Sequence, residues 1–177
     1  DGTAAGQKVT VTVKVDGTQF TNPLMGPASA DPFFYYKDGY YYYVRSSYGG
    51  LTVSKAKRFQ DIGNVPRVMV YSQEEAPSEA TRNWWAPEIH YLEGNWYIYW
   101  AANDGKSENH RMFVLESTDP NNAQAPYVMK SQLAPTKLNE RTGEWEVDAA
   151  EDMWAIDGTV FTNKDGRSYF LWAGYDG

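Results

Sequence analysis

The sequence predicts an all-β fold of the propeller kind, and three observations carry that expectation. The first is a repeated pattern. Asp31–Val44, Glu88–Trp100 and Asp157–Trp172 each run from an acidic residue through a short apolar strand and a Gly-centred turn into an aromatic strand. Their openings lie 57 and 69 residues apart (31 to 88, then 88 to 157). Hairpin-built repeats of roughly this length read as a propeller with one blade per repeat. The second observation is composition: 16% of the chain is aromatic, with 14 Tyr and 7 Trp, which suits strands and stacking on sugars. The third is the lack of any long helical period; Lys55–Phe59 allows one turn at most.

Taken in order, residues 1–7 are small and polar and read as a linker. Lys8–Val15 alternates strictly, with Val9, Val11, Val13 and Val15 on one face, and Asp16-Gly17 closes this strand with a turn. It either ends an upstream domain or packs beside the propeller, so the chain divides into residues 1–20 and a propeller segment 21–177. Within that segment Asp38-Gly39, Glu93-Gly94-Asn95 and Asp165-Gly166 form hairpin turns. Leu51–Ser54 and Met112–Ser117 read as third strands, and Val68–Tyr71 and Tyr127–Ser131 as fourth strands. Gln73–Asn83 and Thr136–Asp152 are polar and read as irregular connections at one face, where binding residues usually sit. The third repeat reaches Gly177 after about two of the four strands a blade needs. The chain is therefore expected to supply about the first two and a half blades. A second chain or a missing C-terminal segment would complete the ring and cover its otherwise exposed edge and apolar flank.

Charge and composition narrow the function. A net charge of −7 argues against a nucleic-acid partner. No apolar run approaches the length of a membrane span, so no membrane partner is expected. Cysteine is absent, which rules out disulfides and thiolate metal sites. Neither a nucleophile elbow nor a phosphate-binding glycine loop is present. Carboxylate chemistry on a neutral ligand that stacks on aromatic rings is what remains, and glycoside hydrolysis fits that description.

In a propeller the first strand of each blade lines the central axis, so the opening carboxylates converge on one pocket. Asp31 precedes Pro32, which biases it to an extended backbone at a strand start; its plain alternative is turn capping. Asp157 lies in an apolar context, between Ala155-Ile156 and Val160-Phe161, where a carboxylate needs a partner or a task. Glu88 reads first as a residue that ties loops together. Trp84 and Trp85 are either core residues or a stacking wall at the pocket mouth. His110 and Arg111 are candidate polar contacts to a ligand. With only two histidines, His90 and His110, and no cysteine, a protein-only zinc site is not expected.

These residues carry a resemblance. Asn22-Pro23-Leu24, Ala30-Asp31-Pro32, Trp85-Ala86-Pro87-Glu88-Ile89-His90, His110–Glu116 and Ala155–Phe161 together resemble glycoside hydrolase family 43, most closely its extracellular exo-α-1,5-L-arabinofuranosidase branch, over about residues 20–177. The resemblance implies a five-bladed propeller, secretion, and inverting hydrolysis of arabinan or arabinoxylan oligosaccharides. Asp31 matches the general base and Asp157 the carboxylate that tunes the acid's pKa. Trp85, Glu88, His110 and Arg111 are the expected substrate-binding residues. The family's acid is a Glu downstream of the Asp157 motif and matches no residue of this chain, which alone is expected to be inactive. No cofactor is required, and the resemblance leaves room for a structural calcium for which no ligand can be named. A β-xylosidase, a fructan hydrolase (without its usual Arg-Asp-Pro), a non-catalytic carbohydrate-binding propeller and a purely structural repeat are the alternatives.

Overall fold

The computed structural model describes residues 12–15 and 18–175. Every strand pairing in it is antiparallel. β1 (Thr12–Val15) and β2 (Thr18–Thr21) form a hairpin. The rest of the expected Lys8–Val15 strand and its Asp16-Gly17 turn lie outside the described residues. The first sheet is a four-stranded meander of β3 (Phe33–Lys37), β4 (Tyr40–Val44), β5 (Gly50–Ala56) and β6 (Arg67–Ser72). A second meander follows: β7 (Arg82–Leu92), β8 (Asn95–Asn103), β9 (Arg111–Ser117) and β10 (Tyr127–Leu133). The expected third and fourth strands of both repeats thus form where the apolar runs placed them.

Two connections depart from expectation. Thr136–Asp152 contains a hairpin, β11 (Thr136–Asn139) with β12 (Glu144–Val147). Its Leu138, Trp145 and Val147 are all exposed, so no buried face advertised it. Lys55 and Ala56 extend β5, and the 3₁₀ turn comes later, over Phe59–Asn64. Asn139 anchors the new hairpin's turn: its carbonyl accepts the Gly143 N–H at 2.8 Å. Last comes the pair β13 (Trp154–Thr162) and β14 (Ser168–Tyr175).

The main core is sealed between the first two sheets. Tyr42, Val44, Leu51 and Val53 pack with Ile89, Trp96, Ile98 and Trp100. Aromatic residues dominate because each buries about 150–250 Å² of surface. Tyr71 stacks on Trp84 with ring centroids 5.7 Å apart, and Tyr42 meets Trp96 at 4.6 Å. The Trp84 indole also donates to the Ala80 carbonyl at 2.6 Å, so Trp84 is a core residue. A smaller cluster of Ala101, Met112 and Ala155, with Phe170 against it, seats the third pair on the second sheet. β14 stays open: Tyr169, Leu171 and Tyr175 are exposed on one face, and Trp172, which stacks on Phe170, is exposed on the other.

The opening strands are neighbours in space: β7 packs beside β3 on one side and β13 on the other. Parts of the chain more than a hundred residues apart therefore meet where β3 begins and along β7 and β13.

Candidate active site

A residue in the left-handed region stands just before β3 and within both β7 and β13. Asp31 has φ 51°, Ala86 φ 42° and Asp157 φ 53°. This is uncommon for non-glycine residues, and aspartate tolerates it better than most. The extended backbone expected at Asp31 from the following Pro32 is not adopted. Asp157 falls at an irregularity in the β13–β14 register between Ile156 and Thr159, which turns its side chain out of the ladder. Although its sequence neighbours are apolar, its carboxylate is exposed and takes no hydrogen bond among the described residues.

Backbone geometry also revises the repeat. The left-handed residue is followed by Pro32, Pro87 and Gly158 respectively. Ala86, not Glu88, is therefore the counterpart of Asp31 and Asp157, and the second repeat carries no aspartate at this point. Glu88 sits two residues further on, paired across the sheet with Tyr99. The β7–β8 register shifts between Trp85 and Glu88, so the placement of Glu88 is set by this irregularity and not by regular alternation. Asp31, Glu88 and Asp157 line one cavity of about 190 Å³, with Pro32, Phe33, Ala86 and Pro87. Glu88 Oε2 lies 2.9 Å from His90 Nε2, a contact within β7 itself that joins no second element.

Asp31 is held from the side. The Ser46 hydroxyl donates to Asp31 Oδ2 at 2.5 Å and accepts the Ala86 N–H at 2.9 Å. One serine thereby couples the first opening strand to the second. Nothing in the sequence distinguishes Ser46 from Ser47, and only the fold identifies it.

Asp31 also borders a second cavity of about 580 Å³, shared with Ser46, Asn83 and Trp85. Trp85 is 38% exposed there and stacks on His110, with ring centroids 4.1 Å apart. His110 itself is fully buried. Asn103 Oδ1 accepts from Asn83 Nδ2 and from the Gly105 N–H, which fixes its amide. Its Nδ2 then points at His110 Nδ1, 2.9 Å away, while His110 Nε2 faces the Asn83 carbonyl at 3.2 Å. Nδ1 also lies 3.2 Å from the Ser107 carbonyl, so both ring nitrogens are engaged within the protein. Contrary to the sequence expectation, His110 underlies the Trp85 wall and presents no face to a ligand. Arg111 is likewise committed: its Nε meets Asp152 Oδ1 at 2.9 Å, and Nη1 donates to the His110 carbonyl at 2.9 Å. It clamps the β12–β13 connection to β9.

Gly158 completes the arrangement. A Cβ there would run into the Phe170 ring and come within 2.6 Å of Met112 Cε. Glycine lets β13 lie this close to the Phe170 and Met112 side chains directly after Asp157, and any larger residue would have to displace them. Among the described residues, no group of three or more His, Asp or Glu side chains is placed to hold a metal ion.

An all-β fold whose opening strands bring two aspartates and a glutamate to one cavity beside a tryptophan wall has the features of a carbohydrate-active protein. Comparison with known proteins gives the family: residues 20–177 match the model for glycosyl hydrolases family 43, and the chain belongs to that family. It is 32% identical over 118 residues to the extracellular exo-α-(1→5)-L-arabinofuranosidase of Streptomyces avermitilis, covering 65% of this chain and 24% of that protein. To the enzyme of the same name from Streptomyces chartreusis it is 26% identical over 161 residues, 89% of this chain and 44% of the other. Among solved structures it resembles an α-L-arabinofuranosidase from Lactobacillus brevis, with a TM-score of 0.70 and 29% identity over 88% of this chain and 46% of that one. The chain thus spans less than half the length of these relatives.

Proposed function

We propose that this chain forms the base-bearing part of an inverting exo-glycosidase that releases L-arabinofuranose from arabinan or arabino-oligosaccharides. The observation that carries the reading is the meeting of Asp31 and Asp157 in one cavity, each on the same left-handed backbone. In this account Asp31 activates the water that attacks the anomeric carbon. Ser46 orients its carboxylate, leaving the other oxygen for that water. Asp157, free of other partners, raises the acid's pKa by like-charge proximity and helps to aim it. The acid is a glutamate from a later segment that completes a five-bladed propeller against β14. The exposed apolar side chains of β14 are what such a continuation would cover.

Trp85, propped by His110, offers an aromatic plane to the sugar. Glu88 and Phe33 shape the cavity floor, and the reaction needs no cofactor. The arabinofuranosidase names of relatives at 26–32% identity favour this sugar over xylose. Names that include "extracellular" support a secreted enzyme, and no helix among the described residues is long and apolar enough to cross a membrane.

The test is hydrolysis of arabino-oligosaccharides by the full-length protein, followed by NMR. Release of arabinose with inverted anomeric configuration, abolished by Asp31→Ala, supports the reading. Retention of configuration, or turnover that survives Asp31→Ala, contradicts it.

A further inference from the structure

The wall that leads away from Asp31 along the first sheet carries two arginines without an acidic partner. Arg45 follows the end of β4 and Arg67 opens β6. Both line the cavity of about 580 Å³ that contains Asp31 and Trp85, and both also line a neighbouring cavity of about 360 Å³. The ion pairs formed by arginines among the described residues involve Arg58, Arg111 and Arg167, not these two.

Arg45 is only partly satisfied. Its Nη1 donates to Ser29 Oγ at 3.2 Å, but its Nε is buried with no hydrogen-bond partner. Tyr43 lies two residues earlier and is 1% exposed; its buried hydroxyl interacts with Ser29, the serine that also accepts from Arg45 Nη1. Burial pushes the Tyr43 phenol's pKa up, and the Arg45 and Arg67 guanidinium groups offset part of that rise. The buried Nε lies out of a ligand's reach, so an anion in the cavity would be met by the other guanidinium nitrogens of Arg45 and by the exposed Arg67. A neutral hydroxyl could answer one of them. Two cations with a forked donor geometry are matched by a carboxylate.

We propose that Arg45 and Arg67, with Tyr43 behind them, form an anion subsite that takes the carboxylate of a hexuronic acid in the same glycan as the furanose cleaved at Asp31. The link to cleavage rests on the glycosidase reading above; binding of the acidic sugar does not. The preferred substrate is then an arabinose-bearing glycan with acidic sugars close to the cleaved linkage, rather than a wholly neutral one.

Calorimetric titration of the full-length protein with digalacturonate and with its methyl ester tests this, because the ester keeps the sugar and removes the charge. We expect the acid to bind about tenfold more tightly than the ester. The preference should disappear in Arg67→Gln, an exposed position whose change leaves the core untouched, and shrink at about 1 M salt. Equal binding of acid and ester overturns the proposal, as does a preference that survives Arg67→Gln. Competition by inorganic sulfate as strong as that by digalacturonate also overturns it, marking a site for free anions. Arabinan hydrolysis measured on the same preparations separates the two failures: its absence removes the glycosidase reading, while the acid preference alone decides the subsite.

Discussion

Asp31 and Asp157 share one backbone conformation, φ 51° and 53°, and line the same cavity from opening strands that the chain visits far apart in sequence. Left-handed backbone at a non-glycine residue costs about 1–3 kcal/mol, and it persists where the surroundings fix it. Ser46 fixes Asp31, and the close approach of Phe170 to Gly158 fixes Asp157. If both carboxylates serve catalysis, Asp31→Asn and Asp157→Asn should fold normally, because asparagine also accepts this conformation. Loss of the base is expected to lower kcat about 10²–10⁴-fold in the full-length enzyme, with KM little changed. Steady-state kinetics beside a thermal melt check both halves of this statement.

Ala86 holds the same left-handed geometry without a carboxylate, so it bears the strain and performs no chemistry. Ala86→Gly should leave stability unchanged or raise it by up to about 1 kcal/mol. Ala86→Val should lower stability by about 1–3 kcal/mol, since a β-branched residue is a genuine outlier at positive φ. Denaturant unfolding of the two variants distinguishes these outcomes, and a destabilised glycine variant would refute the geometry.

Ser46 bonds Asp31 and lines the cavity beside Trp85 but carries no reacting group, so it is a positioning residue. Removing its hydroxyl in Ser46→Ala frees Asp31 to rotate and strands the Ala86 N–H. We expect kcat to fall about tenfold with KM nearly constant, and Ser46→Thr to recover most of the loss. A change confined to thermal stability would show that the serine only joins two sheets.

Several tyrosines are buried enough to resist ionisation. Burial is the main cause at Tyr99, which is pushed up to about 12, and Tyr71 and Tyr97 shift in the same direction. Here the folded state holds its proton while the unfolded chain releases it near pH 10. The stabilising contribution is complete below pH 10 and is lost as the pH rises towards 12. Absorbance titration at alkaline pH should show a late tyrosine class that titrates together with unfolding, and Tyr99→Phe should remove part of it. On the acid side, hydrogen bonds from Lys130, Tyr97 and Asn95 hold Glu116 below the usual glutamate range. Its contribution is present above about pH 4.5 and fades as the pH falls further.

Much of this architecture was legible because hairpins announce themselves locally. Asp38-Gly39 and Asp165-Gly166 sit where turn chemistry demands, and Leu51–Ser54 needed only its apolar run. The β11–β12 hairpin was not legible, because its apolar residues are exposed and give no burial pattern. The site was read one step out of phase. Aligning acidic residues paired Glu88 with the two aspartates, although the prolines after Asp31 and Ala86 already marked the true equivalence. His110 looked like a ligand contact because it is polar; its burial depends on Asn83 and Asn103, whose approach no spacing rule reveals. Ser46, Arg45 and Arg67 are joined to the site only by tertiary packing.

Gly158 shows how tightly that packing is set. Gly158→Ala should cost about 1–3 kcal/mol, because the Phe170 ring must move for a methyl group to fit. Since Asp157 precedes it directly, activity should fall further than stability alone explains, and kinetics measured well below the melting temperature test the difference.

The most direct test of the central claim is a crystal structure of the full-length Asp31→Asn protein soaked with an arabino-oligosaccharide. The account predicts the terminal furanose seated in the cavity between residues 31 and 157, with the Trp85 ring forming one wall of its binding path. A saccharide bound elsewhere, with this cavity holding only water, would contradict it.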